Sequence, residues 1–310
     1  METYPPFKST LSAELLEKAK IELNEDPETR NVEINTLRTR IQSCLGLKSR
    51  LDSEFLIRFL RAKKFDQERA FDLVKSYYKI RKDNPEMFKD MVPSSVDGVM
   101  ESKVTGVLDH TDKHGRKVMI VRPGKWDPNQ CPLNDIFKLN YLTLSKLIED
   151  EETQVNGVIL MVELSEITWT HAKAISPFYA KRLSALLQEA FPARFKSIHY
   201  INEPSFFDYV FMIIKQFLKE KIVKRLHFHG NRVKELHEYI DVQYLPEEFE
   251  GQAPTFDTKK WTDHLKTFED EFRDDLKYGF YDVQTVTTET KNQDAITNSV
   301  TGSFRKLDVN

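Results

Sequence analysis

The chain has 310 residues and a mass of 36.4 kDa, room for one large domain or two ordinary ones. It is 40% hydrophobic, 31% charged and 11% aromatic, the composition of a globular protein with a sizeable core. Forty-six basic against 49 acidic residues leave a net charge of −3, so no global field marks a nucleic-acid binder. Two cysteines, Cys44 and Cys131, cannot build the multi-bridge framework of a small secreted domain. The opening Met-Glu-Thr-Tyr-Pro-Pro-Phe has no basic stretch ahead of an apolar one, so no secretory signal is expected. The longest apolar runs, Val158–Val162 and Tyr209–Ile214, fall far short of the roughly 20 residues that span a bilayer. These features predict a cytoplasmic protein that meets a membrane, if at all, from outside.

In chain order, residues 9–47 are polar, with helical spacing at Leu11, Leu15 and Ala19 and again at Ile34, Leu37 and Ile41. In 52–64, Phe55, Leu56, Phe59 and Leu60 share one helical face, while Arg58, Arg61 and Lys64 take a polar one. Asp66 is placed to cap the next helix, which carries Ala70, Phe71, Val74 and Tyr78 and stops near Pro85. After Pro93 the pattern changes. Residues 104–108 and 117–121 read as strands joined by a polar turn with His114-Gly115. A long helix follows from Leu133, then the apolar run GVILMVEL at 157–164, expected of a strand covered on both faces. Pro177 opens another helix, 195–201 is a strand, 205–218 a helix, 225–229 extended and 232–239 helical. Helix and strand in alternation predict an α/β fold with a largely parallel sheet behind a helical N-terminal region. The Thr- and Asn-rich tail from Thr285 has the composition of a disordered segment.

Several common chemistries are excluded. No two glycines form G-x-G, the Walker spacing before Gly124-Lys125 fails because Met119 stands five before the glycine, and no G-x-S-x-G elbow exists. His227 and His229 alternate on one strand face, and with His199 could begin a metal site; hydrogen-bonded histidines at the sheet end are the preferred reading. The acidic run 149–152 reads as a solvated helix end.

The informative segment is NEPSFFDYVFMIIKQFLKEKIVKRLHFHG, residues 202–230. Its helix is apolar around much of its circumference, where a surface helix needs only a stripe about 100° wide. It is read as covering an apolar cavity on one side and meeting lipid on the other. Seven Lys or Arg (215, 219, 221, 224, 225, 232 and 234) and one acid, Glu220, lie between 215 and 234. Basic residues beside an aromatic-rich helix suit an anionic membrane surface.

DSEFLIRFLRAKKFD, WDP at 126–128, ETQVNG at 152–157, SIHYINEP at 197–204, HFHGN at 227–231 and YLPEEFEG at 244–251 resemble the CRAL-TRIO (Sec14-like) lipid-binding family, and within it the tocopherol-transfer branch. The resemblance covers about residues 52–251, with the motifs in order. It implies a helical extension (1–47), a helical CRAL-TRIO-N domain (48–93), a lipid-binding domain with a mobile lid helix (94–254), a C-terminal helical segment (255–284) and a tail (285–310).

By motif, the resemblance puts Phe137, Asn140, Leu144, Val162, Leu183, Leu186 and Ile198 on the pocket wall. It makes Phe207, Val210, Phe211, Ile214 and Leu218 the lid. It places a phosphoinositide head group on Lys63, Arg194, Lys221 and Arg225, with Lys196 nearby. Asn140 and Leu144 stand where that branch has two small hydroxyl-bearing positions, so the ligand stays open among tocopherol, a retinoid, a sterol-like molecule or another isoprenoid. The implied function is a monomeric, non-enzymatic carrier without cofactor, metal or nucleic acid, exchanging one hydrophobic ligand at phosphoinositide-bearing membranes in peripheral, reversible association. The rival reading is a lipid-sensing, phosphoinositide-binding adaptor in vesicle traffic.

Overall fold

The computed structural model describes residues 4–281; the expected tail, 285–310, lies outside the described residues. Side-chain caps begin the N-terminal helices. Ser12, Asp52 and Asp66 each accept the backbone N–H three residues on, at 3.3, 2.8 and 3.0 Å, and so start α1 (Ala13–Leu23), α3 (Ser53–Ala62) and α4 (Gln67–Asp83). Helix α2 (Arg30–Gln42) and a short strand β1 (Leu47–Lys48) lie between them. Helix α4 ends at Asn84, whose backbone leaves the helical region (φ −134°, ψ 58°) ahead of a proline, and Pro85 opens the single turn α5 (Pro85–Phe88). Ile34, Leu37 and Ile41 of α2 join Phe55, Phe59 and Tyr78 of α3 and α4 in one apolar cluster.

The expected polar face of α3 is not solvated. Arg58 and Arg61 are buried, and Arg61 has no exposed surface at all. Its guanidinium donates to Glu25 at 2.7 and 2.8 Å, to Glu151 at 2.9 Å and to Gln154 Oε1 at 2.7 Å. Periodicity cannot distinguish a cation facing water from one facing carboxylates brought in by distant segments.

After α6 (Asp97–Glu101) comes a five-stranded sheet in the order β2 (Thr105–Val107), β3 (Lys117–Val121), β4 (Val158–Glu163), β5 (Phe195–Ile201), β6 (Leu226–Phe228). The first pair is an antiparallel hairpin and the rest are parallel. The crossovers are α7 (Leu133–Leu147) with α8 (Glu151–Asn156), then α9 (Trp169–Ala174) with α10 (Pro177–Ala185) and a π-turn, then α11 (Phe207–Lys215) with α12 (Glu220–Val223). Parallel crossovers are right-handed, so strands added in sequence put all these helices on one face.

The two faces are packed differently. Val118, Ile120, Ile159, Met161 and Ile201 have no exposed surface and pack against Leu236, Ile240, Leu245 and Phe249. Toward the crossover helices, Leu160 and Ile198 keep 9% exposure and Val162, Tyr200 and Leu226 are half-buried. Helices α13 (Lys259–Lys266) and α14 (Glu269–Asp275) follow, and β7 (Gly279–Phe280) returns to pair with β1, closing the chain on its N-terminal unit.

Arg61→Ala leaves buried Glu25 with Arg30 at 2.6 Å as its remaining counter-charge and removes a donor from Gln154 and Glu151, and is expected to destabilise the fold by about 2–4 kcal/mol in urea denaturation; a loss under about 1 kcal/mol contradicts the role given to it.

Candidate functional site

The structure brings Lys63, Arg194, Lys196, Lys221 and Arg225 into one groove of about 430 Å³, although up to 162 residues separate them in sequence. Lys63 caps the end of α3; Arg194 and Lys196, two apart at the start of β5, point to one side of the sheet; Lys221 is on α12 and Arg225 precedes β6. Gly157 permits this approach. Its φ is +95°, and a Cβ there would lie 2.5 Å from the Arg194 carbonyl oxygen.

Burial and mutual repulsion mark the groove as under-neutralised. The Lys63 ammonium is pushed below its ordinary pKa by burial and then by Arg69, Lys219 and Lys221. Lys221 is lowered by burial and then by Arg225, Lys64, Arg69 and Arg194. Arg225 is lowered by burial, then by Arg194 and Arg116.

Lys64 and Lys219, which the sequence reading named without placing them at the head-group site, also line the groove, and so does Glu22, which it did not name. Glu22, from α1, is the one acid among the groove's lining residues, and its Oε2 lies 3.0 Å from Arg194 and 3.3 Å from Lys196, while Glu189 beside the groove holds Lys219 at 2.8 Å. Burial raises its carboxyl, but hydrogen bonds from Arg194 and Lys196 outweigh this and leave it below the usual range. Other cations of the 215–234 run are neutralised on the surface: Lys224 by Glu220 at 2.6 Å, Arg232 by Glu235 at 2.6 Å and Lys234 by Glu250 at 3.6 Å. The local excess seen in the sequence is therefore smaller in space than in the chain.

Next to the groove runs α11, shorter than the expected 205–218. Phe207 and Val210 are buried, and Phe211, Ile214 and Leu218 are half-buried. Inward, Phe207 meets the Tyr200 ring at 5.3 Å, and Phe211 packs at 4.9 Å on Phe228, which is itself 41% exposed. Outward, Tyr209 and Met212 are 57% and 62% exposed, beside Trp169 and Phe178 at 50% and 61%. Trp169 stacks on Phe206 at 4.6 Å, which joins α9 to the start of α11. The C-terminal end is held by Gln188, whose amide donates to the Phe217 carbonyl at 3.1 Å and accepts from the Lys219 N–H at 2.6 Å.

Of the expected wall residues, Phe137, Leu144, Leu186 and Ile198 are buried in one apolar cluster, with Val162 and Leu183 half-buried against it. Asn140 is also half-buried, and its Oδ1 accepts the Thr105 hydroxyl at 2.8 Å. The sequence reading did not include Tyr200, whose phenol is pushed up to about 12 by burial, or Tyr179, which burial raises as well.

Comparison with known proteins agrees with this architecture. The CRAL/TRIO domain model matches residues 101–251, and a Pinta-like UBA domain model matches 26–97. Alpha-tocopherol transfer protein-like from Homo sapiens is 40% identical over 269 residues, covering 86% of this chain and 79% of that protein. The chain belongs to the CRAL/TRIO family. Clavesin-2 from Homo sapiens is 36% identical over 276 residues, 88% of this chain and 84% of its own. A solved structure, that of Sfh5, aligns at a TM-score of 0.42 and 12% identity over 69% of this chain and 84% of that one.

In this CRAL/TRIO chain two of the three histidines, His199 and His229, form a hydrogen-bonded relay, and His227 stacks beside it. Ser197 Oγ is 2.8 Å from His199 Nε2, His199 Nδ1 is 3.0 Å from His229 Nε2, and His229 Nδ1 is 2.7 Å from Glu235. The His199 and His227 rings stack at 4.8 Å. The relay fastens β5 to β6 and to the segment that follows. Among the described residues, no group of three or more His, Cys, Asp or Glu is arranged to hold a metal ion.

Burial, then His227, His229 and Arg116, push His199 down from 6.5 to about 3. The unfolded chain protonates this residue near 6.5 while the folded chain does not, so stability present above pH 6.5 is lost as pH falls toward 3. The slope is about 1 kcal/mol per pH unit. Thermal unfolding between pH 7 and 4.5 should show this fall, and His199→Gln should flatten it.

Glu22→Gln removes the acid from the groove. Two half-exposed ion pairs are worth at most about 1 kcal/mol each, so calorimetric affinity for inositol hexakisphosphate should rise roughly three- to tenfold. Unchanged affinity would place the anion elsewhere.

Proposed function

We propose that this CRAL/TRIO protein is a non-enzymatic carrier that encloses one hydrophobic isoprenoid-type molecule and exchanges it at phosphoinositide-containing membranes. The observation that carries this reading is the two-sidedness of α11 beside the basic groove. Its inner aromatic residues lie against Tyr200 and Phe228, its outer Tyr209 and Met212 join Trp169 and Phe178 in solvent, and seven cations line the adjoining groove. A helix that belonged wholly to the core would not leave such side chains in water, and one that belonged wholly to the surface would not be buried behind.

Phe137, Leu144, Val162, Leu183, Leu186 and Ile198 then supply an apolar wall, and Asn140 one polar group that orients the ligand. In such a pocket the affinity comes mostly from apolar area. The names of the tocopherol transfer-like and clavesin relatives agree with the family, and the α-tocopherol, retinoid or similar identity of the ligand belongs to this proposal.

Docking needs two contributions. Each basic residue near an anionic surface adds about 1 kcal/mol, and each large apolar side chain transferred from water adds about 1.5–3 kcal/mol. The groove and the four exposed apolar side chains are therefore comparable in strength, and neither alone makes stable attachment. Docked, Tyr209 and Met212 meet lipid with α11 in place, whereas the inward Phe207 and Val210 gain a lipid environment only if α11 swings outward, so the membrane stabilises the open state by its differential affinity for it. The ligand leaves as the wall behind α11 is uncovered. Membrane association is peripheral and reversible, which suits a cytoplasmic protein; no helix among the described residues is long and apolar enough to cross a membrane.

Lys221→Glu combined with Arg225→Glu reverses two groove charges without touching the wall. Transfer of a fluorescent tocopherol analogue to vesicles containing phosphatidylinositol bisphosphate should lose its phosphoinositide dependence, while affinity measured without vesicles stays within about twofold. Equal loss of both would refute the separation of docking from holding.

A further inference from the structure

A second cavity, of about 450 Å³, opens where α3, α4, α7 and α14 meet, and it shares no lining residue with the basic groove or α11. Its volume is within the range of small-molecule sites. Phe55, Tyr77, Phe88, Tyr141 and Phe272 give it aromatic walls.

Its charges are nearly all committed. Asp275 holds Arg81 at 2.8 Å, Asp52 holds Arg50 at 3.0 and 3.1 Å, Lys146 binds Glu149 and, at 3.1 Å, Glu271, and Glu86 is bound by Arg182. Lys89 is exposed. Arg58 is the exception. Its side chain is 7% exposed, the nearest carboxylate oxygen is Glu149's at 4.0 Å, and its one hydrogen bond, to the Glu54 carbonyl, is 3.5 Å long. The Phe55 ring, 5.1 Å away, stabilises the guanidinium without neutralising it. On the same wall, one helical turn before Glu149, the buried Ser145 Oγ has no hydrogen-bond partner. A buried cation without a close anion and a buried hydroxyl without an acceptor are both costly.

We propose that this cavity is a second ligand site, for a small amphipathic carboxylate. Its head group accepts from Arg58 and Ser145, and its flat apolar body lies between the aromatic walls. One buried cation whose nearest anion is 4.0 Å away calls for one negative charge, and the planar guanidinium matches a carboxylate. The assignment is independent of the lipid carried under α11.

The test is calorimetric titration of the full chain with 2-naphthoate and with its uncharged analogue 2-naphthamide. One saturable naphthoate site, no saturable naphthamide binding, about tenfold weaker naphthoate binding in Ser145→Ala and none in Arg58→Gln are expected. No saturable binding to the unaltered chain overturns the proposal, as does equal binding of the amide. If Arg58→Gln does not fold, Ser145→Ala decides alone, and unchanged affinity in it overturns the assignment. Binding that survives Ser145→Ala but is lost in Ile198→Trp places the carboxylate under α11 and also overturns it.

Discussion

The buried guanidinium of Arg61 is the constraint on which the layout of the molecule depends. It has no contact with water, so its charge is tolerable only because Glu25, Glu151 and Gln154 reach it together. These partners come from three places: the turn after α1, the acidic start of α8 and the end of that same helix. Glu151 also accepts from Ser9 at 2.7 Å and from the Thr10 N–H at 2.7 Å, so the segment before α1 is fixed to the same node. One side chain thus locks the N-terminal helices to the first crossover of the sheet domain. Such a node specifies geometry more than it adds stability, because burying the same charges costs nearly as much as their pairing returns.

That geometry reaches the groove. Lys63 follows Arg61 by two residues, and Glu22 precedes Glu25 by three, so the node sets both a cation of the groove and the acid that occupies it. The opposite wall is built by β5 and α12, and α11 lies between these two elements in the chain. Groove and α11 are therefore consecutive parts of one crossover, and a force on Lys221 is felt at the Gln188 clamp a few residues away. This contiguity gives the proposed coupling of docking to opening a physical path through bonded neighbours.

The helix α11 also explains the uneven packing of the sheet. The face covered by residues 233–256 is sealed, with side chains that have no exposure, because that cover is fixed by turns, the histidine relay and the Leu245–Phe249 corner. The face under the crossovers keeps residual accessibility at Leu160, Val162, Ile198 and Tyr200. Aromatic ring contacts about 5–6 Å apart, without hydrogen bonds, hold the cover there.

Much of this was legible in the sequence because the signals are local. Alternating apolar runs and helical spacing gave the strands and helices of the α/β layer, the cap at Asp66 and the proline at 177 marked helix starts, and the apolar circumference of the helix expected at 205–218 set apart the segment that forms α11. Family motifs picked out the five basic residues that the structure gathers in one groove. What the sequence could not supply was which charge meets which. Arg58 and Arg61 share a helix face with exposed cations and read as solvated, yet the segments that bury them lie up to 93 positions away. Glu22 lies outside every motif, and four of the cations counted near 220, Lys219 among them, prove to be paired with acids. Hydrophobic periodicity is fixed by neighbours along the chain, so the sequence alone determines it; electrostatic pairing depends on distance in space, and only the tertiary structure decides it.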